Sequence, residues 1–157
     1  MNLTNLPTEL GLLSSMEELA FSPRQRSDPP GTIPTELGQL TNMGEFLIQG
    51  RYTGTIPTEI GRLTDLYELT LQGQELTGTV PTEFGLLTSL SSLYFGGNTL
   101  EGTLSSEMGN LSNNLYTLEI NKNNLTGSMP DGLCEPMIEI RRDCKVECSC
   151  CHTRCFS

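Results

Sequence analysis

The sequence predicts an α/β repeat protein, a right-handed solenoid with a parallel concave sheet, short helical or 3₁₀ convex turns and a cysteine-rich C-terminal cap. Three observations carry this prediction. The chain repeats with a period of about 24 residues. Apolar residues recur in the same pattern within each repeat, and all 6 cysteines of the 157-residue chain lie near its C-terminus.

The period is clearest in four segments that begin at Gly31 (GTIPTELGQLTNMGEFLIQG), Gly54, Gly78 and Gly102. A first copy precedes them and a shortened copy follows them. We expect about six coils in an array over residues 1–133, followed by a cap over residues 134–157. Equivalent points of the copies carry proline, with serine substituting once: Pro7, Pro34, Pro57, Pro81, Ser105 and Pro130.

Within a copy, apolar residues return every three positions and then alternate once, as in Leu37, Leu40, Met43, Phe46 and Ile48. The alternating pair predicts a strand, and one strand per coil predicts a parallel sheet. The earlier spacing predicts a helical or 3₁₀ turn, opened by proline and carrying a glutamate that the helix dipole favours. All five side chains then point into one stacked core.

These residues resemble the plant-type leucine-rich repeat, whose consensus reads roughly LxGxIPxxLGxLxxLxxLxLxxNxLxG. The PTELG phrasing with the terminal CKVECSCCHTRC is also similar to short cysteine-capped leucine-rich-repeat proteins predicted from diatoms. The consensus asparagine occurs as Asn98 and Asn123, whereas Arg24, Arg51 and Gln74 hold the matching earlier positions. We therefore expect the inner hydrogen-bond ladder to be incomplete near the N-terminus.

Plant-type arrays usually begin with a disulfide-bearing cap, and this sequence starts almost directly in a repeat. The resemblance therefore implies a truncated gene model or an excised fragment, with an upstream signal or anchor still to be found. The opening MNLTNLPTEL has neither a basic start nor an apolar stretch, and no segment has the roughly 20 apolar residues that span a bilayer. We expect no membrane insertion by this chain.

The chain is acidic, with 9 Lys and Arg against 19 Asp and Glu, a formal charge of −10 and a pI near 4.4. Most of the surface would repel a phosphate backbone, which excludes nucleic acid as a partner. The only histidine is His152, inside the cysteine-rich segment, so no nucleophile and base are predicted to converge. We expect no enzyme activity and no cofactor.

The even number of cysteines in a short terminal segment predicts disulfides that stabilise a cap, with their connectivity open. A zinc site that includes His152 is the alternative, but the common C-x2-C pairs are missing. Disulfides predict an extracellular or cell-surface location. In that setting three sequons would carry glycans, at Asn2, Asn110 and Asn124. The six cysteines are Cys134, Cys144, Cys148, Cys150, Cys151 and Cys155.

Residues that flank the core positions of the strands should project from the concave face, where solenoids usually bind ligands. A carboxylate column there favours a basic protein or peptide as the ligand, and a polysaccharide is a further ligand class. The alternative is that the face is solvated and binds no ligand. The predicted ligand-binding residues are Glu18, Glu45, Gln49, Glu68, Thr70, Gln72, Tyr94 and Glu119.

Two other functions remain open. The repeat junctions place hydroxyls at alternate positions of a second strand, and stacked threonines there would suit adsorption to ice; the candidates are Thr53, Thr55, Thr77 and Thr79. The chain could also be a structural part of a larger receptor ectodomain. A column of convex glutamates is explained by the first turn of each helix, and we expect no metal site there. Its members are Glu9, Glu36, Glu59, Glu83 and Glu107.

Overall fold

The computed structural model describes residues 6–22, 29–134, 138–143, 145–147 and 154–156. In the second to fifth coils the chain runs from a concave strand, through a tight turn and short strand structure on a second side, to a 3₁₀ helix on the convex side. The next coil repeats the path one strand spacing further along. The predicted solenoid of strands and 3₁₀ turns is confirmed.

The concave sheet is parallel, and within the described residues it has seven strands in the order β1-β2-β4-β6-β8-β11-β13. Each strand pairs with that of the next coil, so equivalent residues of successive repeats stand side by side. Its strands are β1 (Glu18–Phe21), β2 (Glu45–Ile48), β4 (Glu68–Thr70), β6 (Ser92–Tyr94), β8 (Thr117–Glu119), β11 (Glu139–Asp143) and β13 (Arg154–Phe156).

Shorter strands pair on a second side of the coil, where the repeat junctions lie. They form two-stranded sheets, β3 with β5, β7 with β9 and β10 with β12. These strands are β3 (Thr53–Thr55), β5 (Glu75–Thr77), β7 (Glu101–Gly102), β9 (Asn124–Leu125), β10 (Gly127–Ser128) and β12 (Val146–Glu147).

The convex turns are 3₁₀ helices, and most follow a proline whose extended backbone cannot continue a preceding helix. Five of the six described helices carry glutamate in the first turn. The helices are η1 (Thr8–Leu12), η2 (Thr35–Gln39), η3 (Thr58–Arg62), η4 (Thr82–Leu86), η5 (Ser106–Asn113) and η6 (Asp131–Leu133).

The core is a stack of apolar columns enclosed by these three sides. The five residues predicted to point inward from the second coil, Leu37 to Ile48, are at most 1% exposed, and their counterparts in the third and fourth coils are fully buried. The segment assigned to the cap adds Ile138, Ile140 and Val146 to the same core. Strand β11 pairs with β8, with Ile140 opposite Leu118, so the concave sheet continues beyond residue 134.

Glycine on the convex side lets neighbouring coils touch. A Cβ on Gly85 would lie 2.4 Å from the backbone oxygen of Glu107, and one on Gly38 would lie 2.5 Å from that of Glu59. Real Cβ atoms do not approach backbone so closely. The glycine of each PTELG segment is therefore required by the coil that follows it.

An inner ladder of side-chain amides joins the coils, and it reaches further toward the N-terminus than expected. Asn98 accepts from the backbone N–H of Leu76 at 3.1 Å and donates to the carbonyls of Leu71 and Phe95, both at 2.9 Å. Gln74 was expected to interrupt this ladder, and that expectation is wrong. Its side chain accepts from the N–H of Tyr52 at 3.2 Å and donates to the Ile48 carbonyl at 3.4 Å, the counterparts of two groups that Asn98 binds, and it also donates to the Gln72 carbonyl at 2.9 Å.

Tyr52 is an exception in the apolar core. It occupies a position that is leucine in later repeats, it is 1% exposed, and its hydroxyl has no hydrogen-bond partner in the part of the chain that the structure describes. Burial raises its pKa from 10.0 to about 12. A buried hydroxyl without a partner costs about 1–3 kcal/mol.

Tyr52→Phe is expected to raise the free energy of unfolding by about 1 kcal/mol at neutral pH, because it removes this unsatisfied group. The unfolded chain ionises its tyrosines near their ordinary pKa, and folded Tyr52 ionises only near 12. The unfolded state therefore loses the proton first, and stability falls as pH rises between these values. Phenylalanine should remove that part of the alkaline loss.

Urea denaturation at neutral pH and at about pH 11 measures both effects. Tyr116→Phe is the matched control, because Tyr116 is 59% exposed. Equal stability changes in the two variants at both pH values would contradict the prediction.

Candidate functional site

The concave face carries columns of side chains that run across the strands. In the first column, Glu18, Glu45 and Glu68 are direct partners in strands β1, β2 and β4. In the described part of the chain, none of the three forms an ion pair. Like charges opposite each other in a sheet destabilise it, so this column retains unfavourable charge density that a cation would relieve. The structure thus aligns three of the predicted residues.

Tyr67 stands beside this column, one position before β4, and sequence reasoning missed it. Its ring lies over Gly44 of the preceding coil, where a Cβ would come within 2.6 Å of the Cε1 atom. The pKa of its hydroxyl is raised above the ordinary value, first by desolvation and then by the charges of Glu45, Glu18 and Glu68. The sequence did contain a signal for this contact, because Tyr67 lies one repeat after Gly44 and directly precedes Glu68 of the acidic column.

The second column continues the face toward the C-terminus. Thr70 is the partner of Tyr94, Tyr94 of Glu119, and Glu119 of Arg141. The Nη1 atom of Arg141 lies 3.7 Å from Oε2 of Glu119, and its Nη2 atom lies 3.3 Å from Oε1 of Glu139. The C-terminal half of the face therefore has an arginine paired with its glutamates, whereas the three glutamates of the N-terminal column have no ion-pair partner among the described residues. Arg141 was missed because its segment was assigned to the cap.

Gln72 and Glu119 meet although 47 residues separate them. The Gln72 amide donates to the Glu119 carboxylate at 2.7 Å. Gly96 of the intervening coil lies against both Glu119 and Asn121, because a Cβ there would be 3.3 Å from Cγ of Glu119 and 2.9 Å from Oδ1 of Asn121. These two predicted residues belong to one polar cluster that also includes Arg141.

A depression of about 570 Å³ opens where the concave strands end. The predicted residues Gln49, Gln72 and Glu119 line it together with Asn121 and Lys122. Asn121 is 8% exposed, and its Oδ1 atom has no partner among the described residues. Gln49 was predicted to face a ligand on the concave face, and the structure places it at the rim of this depression.

The threonines proposed for ice adsorption lie on the second side of the coil, with an unexpected register. Thr55 is the partner of Thr77, but Thr53 is the partner of Glu75. Neighbouring second strands are offset by two residues, because the methyl of each Gly-Thr threonine packs beside the next junction glycine, as Thr79 does beside Gly102. Glu75 therefore interrupts the regular threonine array that the sequence indicated. It also forms a 2.9 Å ion pair with Arg51, which lowers the Glu75 pKa chiefly through their hydrogen bond.

Two of the three predicted glycosylation sites are exposed in the structure, Asn110 in η5 and Asn124 in β9. Neither belongs to the concave sheet, so glycans there would leave the concave face open. Asn2 lies outside the described residues.

Cys134 is disulfide-bonded. Cys144, Cys148, Cys150, Cys151 and the side chain of Cys155 fall outside the described part of the chain, and so does His152. The other predicted disulfides, their pairing and the alternative zinc site stay predictions.

Within the described residues there is no group of three or more His, Cys, Asp or Glu side chains placed to hold a metal ion. The convex glutamates instead accept hydrogen bonds from the preceding hydroxyl, as Glu83 does from Thr82 at 3.2 Å. The Glu107 pKa is lowered by its own backbone N–H and then by the Ser106 hydroxyl. No helix in this part of the chain has the length and apolar character needed to cross a membrane.

Parallel strands, 3₁₀ turns and an asparagine ladder together define a leucine-rich-repeat solenoid. The family described as Leucine Rich Repeat matches residues 114–135. No curated protein sequence matches the chain significantly.

Solved structures share the fold over most of this chain. A plant ice-binding protein is 26% identical, with a TM-score of 0.75 over 88% of this chain and 44% of its own. A TDR receptor is 30% identical, with a TM-score of 0.80 over 92% of this chain and 25% of its own. The ectodomain of the Arabidopsis receptor kinase HAESA, in complex with an IDA peptide hormone, is 29% identical, with a TM-score of 0.78 over 88% of this chain and 24% of its own. The chain spans less than half the length of each of these three proteins.

Proposed function

We propose that this chain is a non-catalytic recognition module that binds a protein or peptide on its concave face and selects positively charged side chains. The observation that carries the proposal is the column of Glu18, Glu45 and Glu68, aligned by the strand register and without an ion-pair partner among the described residues. A basic partner would relieve the repulsion within the column, and complementary charge both speeds association and selects the partner.

Two further observations support this function. Similar solenoids are peptide-binding receptor ectodomains, HAESA among them. The ring of Tyr67 beside the carboxylates offers a guanidinium or ammonium group a cation–π contact in addition to the ion pairs. An extracellular setting, with glycans at Asn110 and Asn124 and further disulfides, is part of the proposal.

The double substitution Glu45→Lys and Glu68→Lys is expected to weaken binding of positively charged peptides by about 30-fold or more, equivalent to about 2 kcal/mol. Both residues are partly exposed, so thermal stability should stay nearly unchanged. Fluorescence anisotropy with panels of basic, neutral and acidic peptides measures the change, and wild-type affinity should fall as salt rises.

Glu9→Lys with Glu101→Lys is the matched control, because it makes the same change in net charge at exposed sites outside the concave face. Equal loss of affinity in both double variants would reduce the effect to net charge. No selection of basic over acidic peptides by the wild type would remove the proposal.

Ice adsorption is the second candidate, favoured by the likeness to a plant ice-binding protein and by the exposed Thr55 and Thr77 pair. The concave-face function is preferred because Glu75 and the Glu101–Asn124 pair interrupt the rows of threonines on the second side of the coil. Thermal hysteresis that Thr55→Lys and Thr79→Lys abolish would establish adsorption. Its absence at millimolar protein would end this candidate.

A further inference from the structure

We infer that the depression at the ends of the concave strands is a second binding site, which takes a neutral oligosaccharide. It is separate from the acidic column and does not depend on the proposed peptide partner. Its volume of about 570 Å³ suits a short saccharide segment.

Glycine residues form part of the lining of the depression. Gly73 and Gly97 occupy equivalent turns with φ of 70° and 71°, a left-handed conformation that favours glycine. A Cβ on Gly73 would meet no atom within 4 Å, so the space beside this turn is open, whereas a Cβ on Gly96 would crowd Asn121, whose Oδ1 atom would lie 2.9 Å away. Lys122 has the same left-handed conformation in the next coil, with φ 58°, which is costly for a residue other than glycine. Its ammonium-bearing side chain lines the depression.

The walls offer carboxamides with unused hydrogen-bonding capacity. Gln49 makes no side-chain hydrogen bond in the described part of the chain, and Gln72 donates one amide hydrogen to Glu119 and leaves its own oxygen available. The oxygen of Asn121 is buried without a partner among the described residues. Each carboxamide presents a donor beside an acceptor.

This lining selects a class of ligand by its chemistry. Neighbouring hydroxyls of a sugar ring also combine donor and acceptor, so they match carboxamides in pairs. Among the described residues, no apolar side chain lines the depression, which disfavours an apolar ligand, and the lining charges of Glu119 and Lys122 are opposite.

The test titrates the protein with neutral trisaccharides of glucose, mannose, xylose and N-acetylglucosamine, followed by NMR of the side-chain amide groups. At least one trisaccharide should shift the amide resonances of Gln49, Gln72 and Asn121. Gln72→Leu should weaken that binding about tenfold, the effect of losing one or two hydrogen bonds. Gln72 is exposed, so this variant should fold.

Gln39→Leu is the matched control at an exposed glutamine of the convex turn η2, and it should bind as the wild type does. Absence of shifts with every trisaccharide at millimolar concentration, or unchanged binding by Gln72→Leu, would each overturn the inference. Glu45→Lys with Glu68→Lys should bind trisaccharides normally, which separates this site from the peptide proposal.

Discussion

Asn98→Ala is expected to lower the free energy of unfolding by about 3–5 kcal/mol, because three buried hydrogen bonds are lost together. Asn98 is 6% exposed, and it holds the N–H of Leu76 and the carbonyls of Leu71 and Phe95. Alanine would leave the Leu76 N–H and the Leu71 carbonyl without these partners inside the solenoid, whereas the Phe95 carbonyl would still accept from Asn123 at 3.0 Å. Urea denaturation followed by circular dichroism measures the loss.

Asn42→Ala is the control for this prediction. The Asn42 amide donates to the Ser14 carbonyl at 2.9 Å, but at an exposed position where water can replace it. Its loss should be within about 0.5 kcal/mol. If Asn98→Ala cost no more than Asn42→Ala, the inner ladder would not be a principal source of stability.

Gly85→Ala is expected to cost about 3 kcal/mol or more, because the new methyl group would overlap the following coil. The Cβ would lie 2.4 Å from the Glu107 carbonyl oxygen and 2.7 Å from the Glu107 carbonyl carbon, both of which are backbone atoms that cannot rotate away. The coils would have to separate on the convex side. Coupling between nearest neighbours stabilises a solenoid, so this separation should destabilise the whole array.

Gly109→Ala provides the matched comparison one coil further along. There the following coil presents Gly132, and the new Cβ would lie 3.3 Å from its Cα. That contact needs a shift of only a few tenths of an ångström, so we expect less than about 1 kcal/mol. Equal losses at both glycines in urea denaturation would show that helix propensity, rather than contact between coils, decides the effect.

Periodicity predicted the part of the site that repeats. Glu18, Glu45 and Glu68 occupy equivalent positions in their repeats, and parallel strands of neighbouring coils place equivalent positions side by side. Tyr67 escaped the sequence reasoning because its place depends on Gly44 in another coil. Residues that depart from the repeat are the ones whose contacts periodicity does not predict.

The second side of the coil is another place where periodicity did not predict the contacts between coils. The junctions TGT predicted threonines in register, but the strands pair with a two-residue offset, so Thr53 faces Glu75. The offset follows from packing of threonine methyls beside junction glycines, a contact between coils that no single repeat contains. The recurring hydroxyls alone therefore did not define a flat array.

The sequence by itself determined the solenoid, its buried columns and the identity of its concave face, because these depend on which residues recur and hydrophobic burial follows that recurrence. The tertiary structure decided which polar side chains meet. Gln74 takes the place of an asparagine by accepting from the N–H of Tyr52 in the preceding coil, and Gln72 donates to Glu119, whose side chain packs against Gly96 where a Cβ would crowd it. Such contacts depend on the length of one side chain and the absence of another, two coils apart, and this is geometry that only the folded chain provides.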